Sequence, residues 1–181
     1  TERIFFENGI YEQVLEEILV AQRKKPTEIF YIQPYSDRII SEFKKLTPST
    51  YNKWRLYATT TNDLSNVLYT AEIVHWEYKP DIPAERLQLL NAFIAEFQPG
   101  ERCIYPTQNG KTCANLISIR NLRKLYNPIP VNRFYKISDG TPLKARKRAG
   151  NWSYVVLMNE NSDDDYILQS YLDADLAKRT N

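Results

Sequence analysis

The sequence predicts an α+β domain, a small mixed β-barrel with helices inserted between its strands. Three observations predict it. Apolar segments rich in Val, Ile, Tyr, Trp and Thr mark about six strands. Apolar stripes at helical spacing fall between those strands, over residues 10–24 and 84–97 among others. Turn chemistry joins strand to strand more often than a helix does, so hairpins outnumber β-helix-β crossovers. That argues against a doubly wound parallel sheet.

The elements follow in order. Ile10, Val14, Leu15, Ile18 and Leu19 recur at helical spacing with Glu12, Glu16 and Glu17 outside. Arg23, Lys24 and Lys25 load the last turn and Pro26 stops it, so residues 1–26 read as an N-terminal helical extension. Glu28 to Gln33 reads as a buried strand ending at Pro34. Ser36 is placed to cap a second helix that turns Ile39, Ile40, Phe43 and Leu46 inward. Trp54–Thr60 and Val67–Tyr78 are strands, joined by turn residues Asn62-Asp63 and Ser65-Asn66. Both faces of the second strand are mixed, as in a closed barrel with one face inward and one under helices.

Pro80 and Pro83 break that strand. A helix then runs to about Phe97 with Leu87, Leu90, Phe93, Ile94 and Phe97 as its stripe, and Pro99-Gly100 ends it. Cys103–Ile119 reads as a hairpin turning at Asn109-Gly110, a register that sets Cys103 opposite Leu116 and Cys113 opposite Pro106. Further β segments are expected near Phe134–Ile137, Leu143–Lys147 and Trp152–Met158. The barrel domain thus spans residues 27–158. Residues 159–181 form an acidic tail, with a closing helix through Ile167, Leu168, Tyr171 and Leu172.

The 181 residues make one domain, or one domain with an appendage. With 43% hydrophobic and 25% charged residues, the chain belongs to neither the collagen-like, the disordered nor the membrane-spanning class. Two cysteines without a C-x-x-C pair or a secretion signal point to reduced thiols, no intramolecular disulfide and a cytoplasmic location. The chain starts at Thr1 and its only methionine is Met158, so the initiator was removed or the chain is part of a longer polypeptide.

Several chemistries find no support. Glycines at 9, 100, 110, 140 and 150 cannot build a phosphate loop, and no zinc-protease, serine-hydrolase or EF-hand spacing occurs. Asp37 with Glu42 and Lys44 is spaced too closely for a metal-dependent nuclease, and the Asp163-Asp164-Asp165 run reads as a solvated charge cluster. No cofactor or metal is predicted. His75 is the only histidine, and any enzymatic reading rests on it or on Cys113.

Charge and aromatic content carry the positive signal. The net charge is +2, yet nine basic residues between Ile119 and Gly150 face only Asp139, a local +8. Arg133, Lys144, Arg146, Lys147 and Arg148 are the phosphate-binding candidates in that stripe. The competing reading is a solvated loop neutralised by the acidic tail. The chain also holds 13 Tyr, 3 Trp and 7 Phe. Trp54, Trp76 and Trp152 lie near strand ends, with Tyr57 close by and Tyr35 and Ser36 placed to bond a base edge. A base stacked on such a ring gains roughly 1–3 kcal/mol, against a few kcal/mol to extrude it from a duplex. The competing reading makes the tryptophans core residues.

The order of segments resembles the PUA-like superfamily, particularly its EVE, ASCH and YTH branches. The residues that carry the resemblance are Ile29-Phe30-Tyr31-Ile32, Trp54 to Thr59, Val67 to Val74, Asn127 to Pro130 and Phe134 to Ile137. The N-terminal helix, the acidic tail and the length of the helix at 84–97 depart from the smallest members. The resemblance implies binding without catalysis. It implies a reader of nucleic acid, DNA in preference to RNA, with an extruded and even methylated base held in an aromatic pocket. It also implies a specificity module of a modification-dependent restriction system, with a fused or partner nuclease or NTPase. The alternatives are a small nucleotide-processing enzyme using His75 or Cys113, or a protein-interaction domain.

Overall fold

Arg-Ile-Phe-Phe-Glu-Asn-Gly-Ile, residues 3–10, forms β1, the strand on which the fold is centred. The computed structural model describes residues 3–34, 38–45, 54–105 and 114–158. The other strands are β2 (Phe30–Ile32), β3 (Trp54–Thr60), β4 (Asn66–Tyr78), β5 (Asn115–Pro130), β6 (Phe134–Lys136) and β7 (Trp152–Leu157). They make one mixed sheet in the order β2-β5-β4-β3-β1-β7-β6. β1 and β3 run parallel, and the other neighbours run antiparallel. Two helices complete the α+β fold, α1 (Glu12–Lys24) and α2 (Ala84–Phe97).

The strand periodicity sets two cores. On β1, Phe5 enters the main core with Leu56 and Ala58 of β3 and Tyr69, Ala71 and Ile73 of β4. Ile4 and Phe6 point to the opposite face, where Val67, Val131, Phe134, Leu143 and Val155 form a second cluster. Val14, Leu15, Ile18 and Ala21 of α1 cover the main core, while Glu12 and Arg23-Lys24 suit the two ends of its dipole. Leu90 and Ile94 of α2 sit in a third cluster with Leu116, and Phe93 and Phe97 pack on the main core. Burying a leucine such as Leu15 completely contributes roughly 1.5–3 kcal/mol.

Several expectations are corrected here. The helix expected over residues 10–24 is α1, but residues 3–10 before it are a sheet strand paired on both sides instead of helical extension. A charged residue and a glycine amid the apolar residues hide that strand's alternation. The helix expected from Ser36 gives way to irregular backbone over 38–42 and a 3-10 turn at Phe43–Lys45, although Ile40 and Phe43 are buried as expected. β5 does not stop at Ile119 but continues to Pro130 along β4, with a kink at Asn121 (φ 54°). Leu143–Lys147 is not a strand; Pro142 before it bridges to Tyr135, and the Leu143 amide donates to the Phe134 carbonyl (2.8 Å). Cys103 lies on irregular backbone and Leu116 pairs with Glu77, so the expected facing of Cys103 and Leu116 is not made. Cys113, the turn at Asn109-Gly110 and the tail 159–181 lie outside the described residues.

The sheet is not a closed barrel. β2 and β6 are its edges, each three residues long, and no ladder joins them. Residues 38–45 bridge the gap between β5 and β7 through side chains. Asn115 Nδ2 donates to the Arg38 carbonyl (2.8 Å) and its Oδ1 accepts from the Ile40 amide (3.1 Å). Arg38 Nη2 donates to the Trp152 carbonyl (3.2 Å), and the Glu42 amide donates to the Tyr154 hydroxyl (3.2 Å). A seam held by side chains thus stands where a closed barrel has strand pairing. No described helix is long and apolar enough to cross a membrane.

Candidate functional site

The sheet's seam opens beside the end of β1. There the β1–β3 register shifts between Glu7 and Ile10, and Gly9 adopts φ +80°. A Cβ on Gly9 would stand 2.5 Å from the Ala149 Cβ, so glycine permits the close approach of the loop over 146–151. Asn8 fixes that loop. Its Nδ2 donates to the carbonyls of Arg148 (2.8 Å) and Gly150 (3.0 Å). Its backbone exchanges hydrogen bonds with Asn151 O and Gly150 N. Arg146, Lys147 and Arg148 are exposed on this pinned loop and line an open groove.

Residues 98–102, which follow α2, form the facing wall. Gln98 is fully buried, and its amide takes the place of a neighbouring strand for β2. Nε2 donates to the Tyr31 carbonyl (2.7 Å) and Oε1 accepts from the Tyr31 amide (3.0 Å). Gln33 Nε2 donates to Glu101 Oε1 (3.0 Å) and the Arg102 carbonyl (2.7 Å), while Arg102 Nη2 returns a bond to the Gln33 carbonyl (3.0 Å). The buried ammonium of Lys79 donates to Gln33 Oε1 and so fixes the orientation of that amide. The Gly100 amide donates to the Glu17 carboxylate of α1 (2.8 Å), which anchors the wall to the helix.

Between these walls lies a cavity of about 360 Å³, lined by Glu7, Ile10, Val14, Gln33, Glu101 and Gly150 among others. Its Glu7 is only 7% exposed, and Oε2 of that carboxyl is buried without a hydrogen-bond partner. Burial, and secondarily the nearby Glu101, push Glu7 up to about 8. Glu7 therefore keeps its proton at neutral pH. Burial also raises Glu101, against the opposing pull of the Arg102 amide and guanidinium. The residue paired with Glu7 across β1–β7 is Trp152, whose Nε1 is likewise buried without a partner. Two neighbouring side chains thus leave hydrogen-bonding capacity unused in an interior where that is costly.

The residues singled out from sequence are distributed over the molecule. Trp54 is 3% exposed in the main core, edge-on to Phe43 and 5.5 Å from Tyr154. Trp152 is 5% exposed in the same cluster, with the Arg38 guanidinium 4.1 Å over its ring. Trp76 is half-buried, donates to Asn115 Oδ1 (2.9 Å) and stacks on Tyr78. Among the described residues no two tryptophan rings face each other. Tyr57 packs on Phe134 on the opposite face of the sheet. Tyr35 and Ser36 lie outside the described residues. His75 is exposed on β4.

The basic stripe is partly occupied by internal partners. Arg120 pairs with Glu72, Lys124 with Glu12 and Glu16, and Arg133 Nη2 donates to the Met158 carbonyl (2.7 Å). Lys144, Arg146, Lys147 and Arg148 remain on the exposed loop. Among the described candidates, Arg146, Lys147 and Arg148 line the groove that shares Ala149 and Gly150 with the cavity, and Trp152 pairs with Glu7 of its lining. Glu7, Gln33 and Glu101 were not singled out from sequence. The available signal was Glu7, two positions from Phe5 and so on the inward face of a strand. No group of three His, Cys, Asp or Glu suited to a metal ion occurs among the described residues.

No protein-family model matches the chain, and neither does a curated protein or a solved structure.

Proposed function

We propose that this chain is a nucleic-acid-binding reader that receives an extruded base in the cavity beside β1. Arg146, Lys147 and Arg148 then contact the flanking phosphates. One observation carries the reading: a cavity with apolar and polar walls, Glu7 and Gln33 among the latter, opens next to an exposed cationic loop, and Asn8 pins that loop to the cavity's own strand. The cationic rim favours an anionic ligand, and the interior favours a planar group rich in hydrogen bonds. A nucleotide has both. The volume, about 360 Å³, lies within the range typical of small-molecule pockets.

In this reading Trp152 supports the cavity wall and Trp54 supports the core, so recognition passes from stacked rings to hydrogen bonds. The PUA-like kinship, the preference for DNA, a modified base and a partner nuclease or NTPase belong to the same proposal and rest on the resemblance of segments. A cytoplasmic setting belongs to it as well and rests on the two cysteines without a C-x-x-C pair.

A mobility-shift series with duplex DNA over a range of salt tests the reading. Binding should weaken linearly in log–log form as salt rises. Replacing Arg146, Lys147 and Arg148 together by Ala should flatten the slope by about 0.9 per lost phosphate contact. Failure to bind any duplex at low salt overturns the proposal, and an unchanged slope removes the loop from the interface.

A further inference from the structure

The cavity holds one feature that the fold does not need. Strand β1 runs between two partner strands, and its residues at 4, 5 and 6 are apolar and buried. At position 7 an apolar side chain would continue that pattern, yet a glutamate stands there. Its carboxyl is 7% exposed, and its Oε2 has no partner. The amide and the second carboxyl that share the wall with it are engaged. Gln33 spends both ends of its amide on Lys79, Glu101 and Arg102, and Glu101 Oε1 accepts from Gln33 and from the Arg102 amide. Glu7 Oε2 is the buried acceptor of this wall left without a partner, with the unpartnered Trp152 Nε1 across the strand pair.

We infer that Glu7 is a specificity-determining residue of this cavity, bonding a planar heterocycle on an edge where a hydrogen-bond donor sits beside an acceptor. The choice of ligand rests on the nucleic-acid reading above. The chemistry is that of a carboxylic acid. Burial disfavours the ionised carboxyl and outweighs the opposing charge of Arg102, so Glu7 shifts upward and holds its proton. In that form it offers one O–H donor and one carbonyl acceptor side by side. Nucleobase edges present the complementary pair, an amino or imino hydrogen next to a ring nitrogen or carbonyl oxygen. A cationic ligand would suit an ionised pair of glutamates, but it would have to pass Arg146, Lys147 and Arg148 at the rim. A carboxyl therefore recognises a base edge here by shape and hydrogen bonding, with no stacked ring required.

The substitutions that test this are Glu7→Gln and Glu7→Met. Glutamine keeps a donor beside an acceptor. Methionine fills a similar volume and removes both. Two duplexes serve as probes, one fully paired and one with a central base set opposite an abasic site, where extrusion is least costly. The wild-type protein should prefer the second duplex, and Glu7→Gln should keep that preference. Glu7→Met should lose about ten- to a hundredfold of the preference while retaining the salt-sensitive remainder. Its melting temperature should stay level or rise, because an unpaired polar group has left the interior. A residue with a purely structural role would instead lose melting temperature and all binding together.

Equal preference in wild-type and Glu7→Met overturns the inference and leaves the nucleic-acid reading standing. If wild-type binds neither duplex, that reading falls, and calorimetry with the four deoxynucleoside monophosphates decides the inference. Binding that Glu7→Met abolishes upholds it for a free nucleotide. No binding, or binding that survives the change, overturns it.

Discussion

The strip β5-β4-β3-β1 and the seam between β2 and β7 are held by different bonds. In the strip, backbone pairs with backbone, and the side chains are specified mainly by alternation. In the seam, backbone pairs with side-chain amides: Gln98 with Tyr31, Gln33 with Arg102, Asn115 with Arg38 and Ile40, and Asn8 with the loop over 146–151. A backbone ladder tolerates many side chains. A side-chain amide bonded at both ends tolerates almost none, because its replacement orphans two backbone groups at once. The difference teaches where this molecule keeps its chemistry. The strip supplies rigidity, and the seam, free of continuous pairing, leaves space for a cavity.

That contrast can be broken at several points. The largest effect belongs to the strip. Trp54→Ala should lower stability by about 3–5 kcal/mol in denaturant titrations and reduce every activity in proportion. A stable Trp54→Ala protein that loses one binding activity alone would return this residue to the site. In the seam, Gln98→Ala should cost about 2 kcal/mol through the unpaired Tyr31 amide and carbonyl. Hydrogen exchange should then rise at Tyr31 while remaining slow in β3 and β4.

A third expectation concerns pH. Glu7 in the folded chain holds its proton to about pH 8, whereas in the unfolded chain it releases it near the ordinary carboxylate value of 4.5. Between those values the folded state binds the extra proton, so stability falls as pH rises, by up to about 1.4 kcal/mol per pH unit. Glu101 shifts in the same direction and adds to the slope. Thermal melts from pH 5 to 8 should show this decline in the wild type and a flatter profile in Glu7→Gln. An identical slope in both would mean that Glu7 is ionised in the fold. The smallest effect belongs to the rim. Arg146, Lys147 and Arg148 are exposed, and replacing all three by Ala should change stability by less than about 0.5 kcal/mol each.

In the strip β3 and β4 were legible in the sequence, while β1, the second half of β5 and the seam were not. Trp54–Thr60, Asn66–Tyr78 and Ala84–Phe97 match their expected ranges closely, because apolar periodicity and proline breaks are local signals. β1 was missed because Glu7, Asn8 and Gly9 interrupt it, and those are the residues that shape the cavity. The basic loop was legible as charge, but its attachment to Asn8 spans 140 residues of chain and leaves no local trace. The tryptophans drew attention as rings near strand ends, with a place in the core as the competing reading. Trp54 and Trp152 fill the core, since strand ends in this sheet are covered by residues 38–45. A buried carboxyl is legible only once its strand is known, because only then does its inward direction appear.

The placement of β1 also sets a timetable for synthesis. Ile4 pairs with Arg55 on one side and with Val155 on the other, so the first strand made lies between partners made much later. At a ribosomal pace of 5–20 residues per second, β1 waits for β7 for roughly ten to thirty seconds. During that interval Ile4, Phe5 and Phe6 have only part of their final surroundings. The cavity inherits this delay, since its two walls meet only when residues 149 and 150 arrive. Pulse-labelled hydrogen exchange during refolding should find the β1 and β7 amides gaining protection in the same late phase, after α1 and the β3–β4 pair.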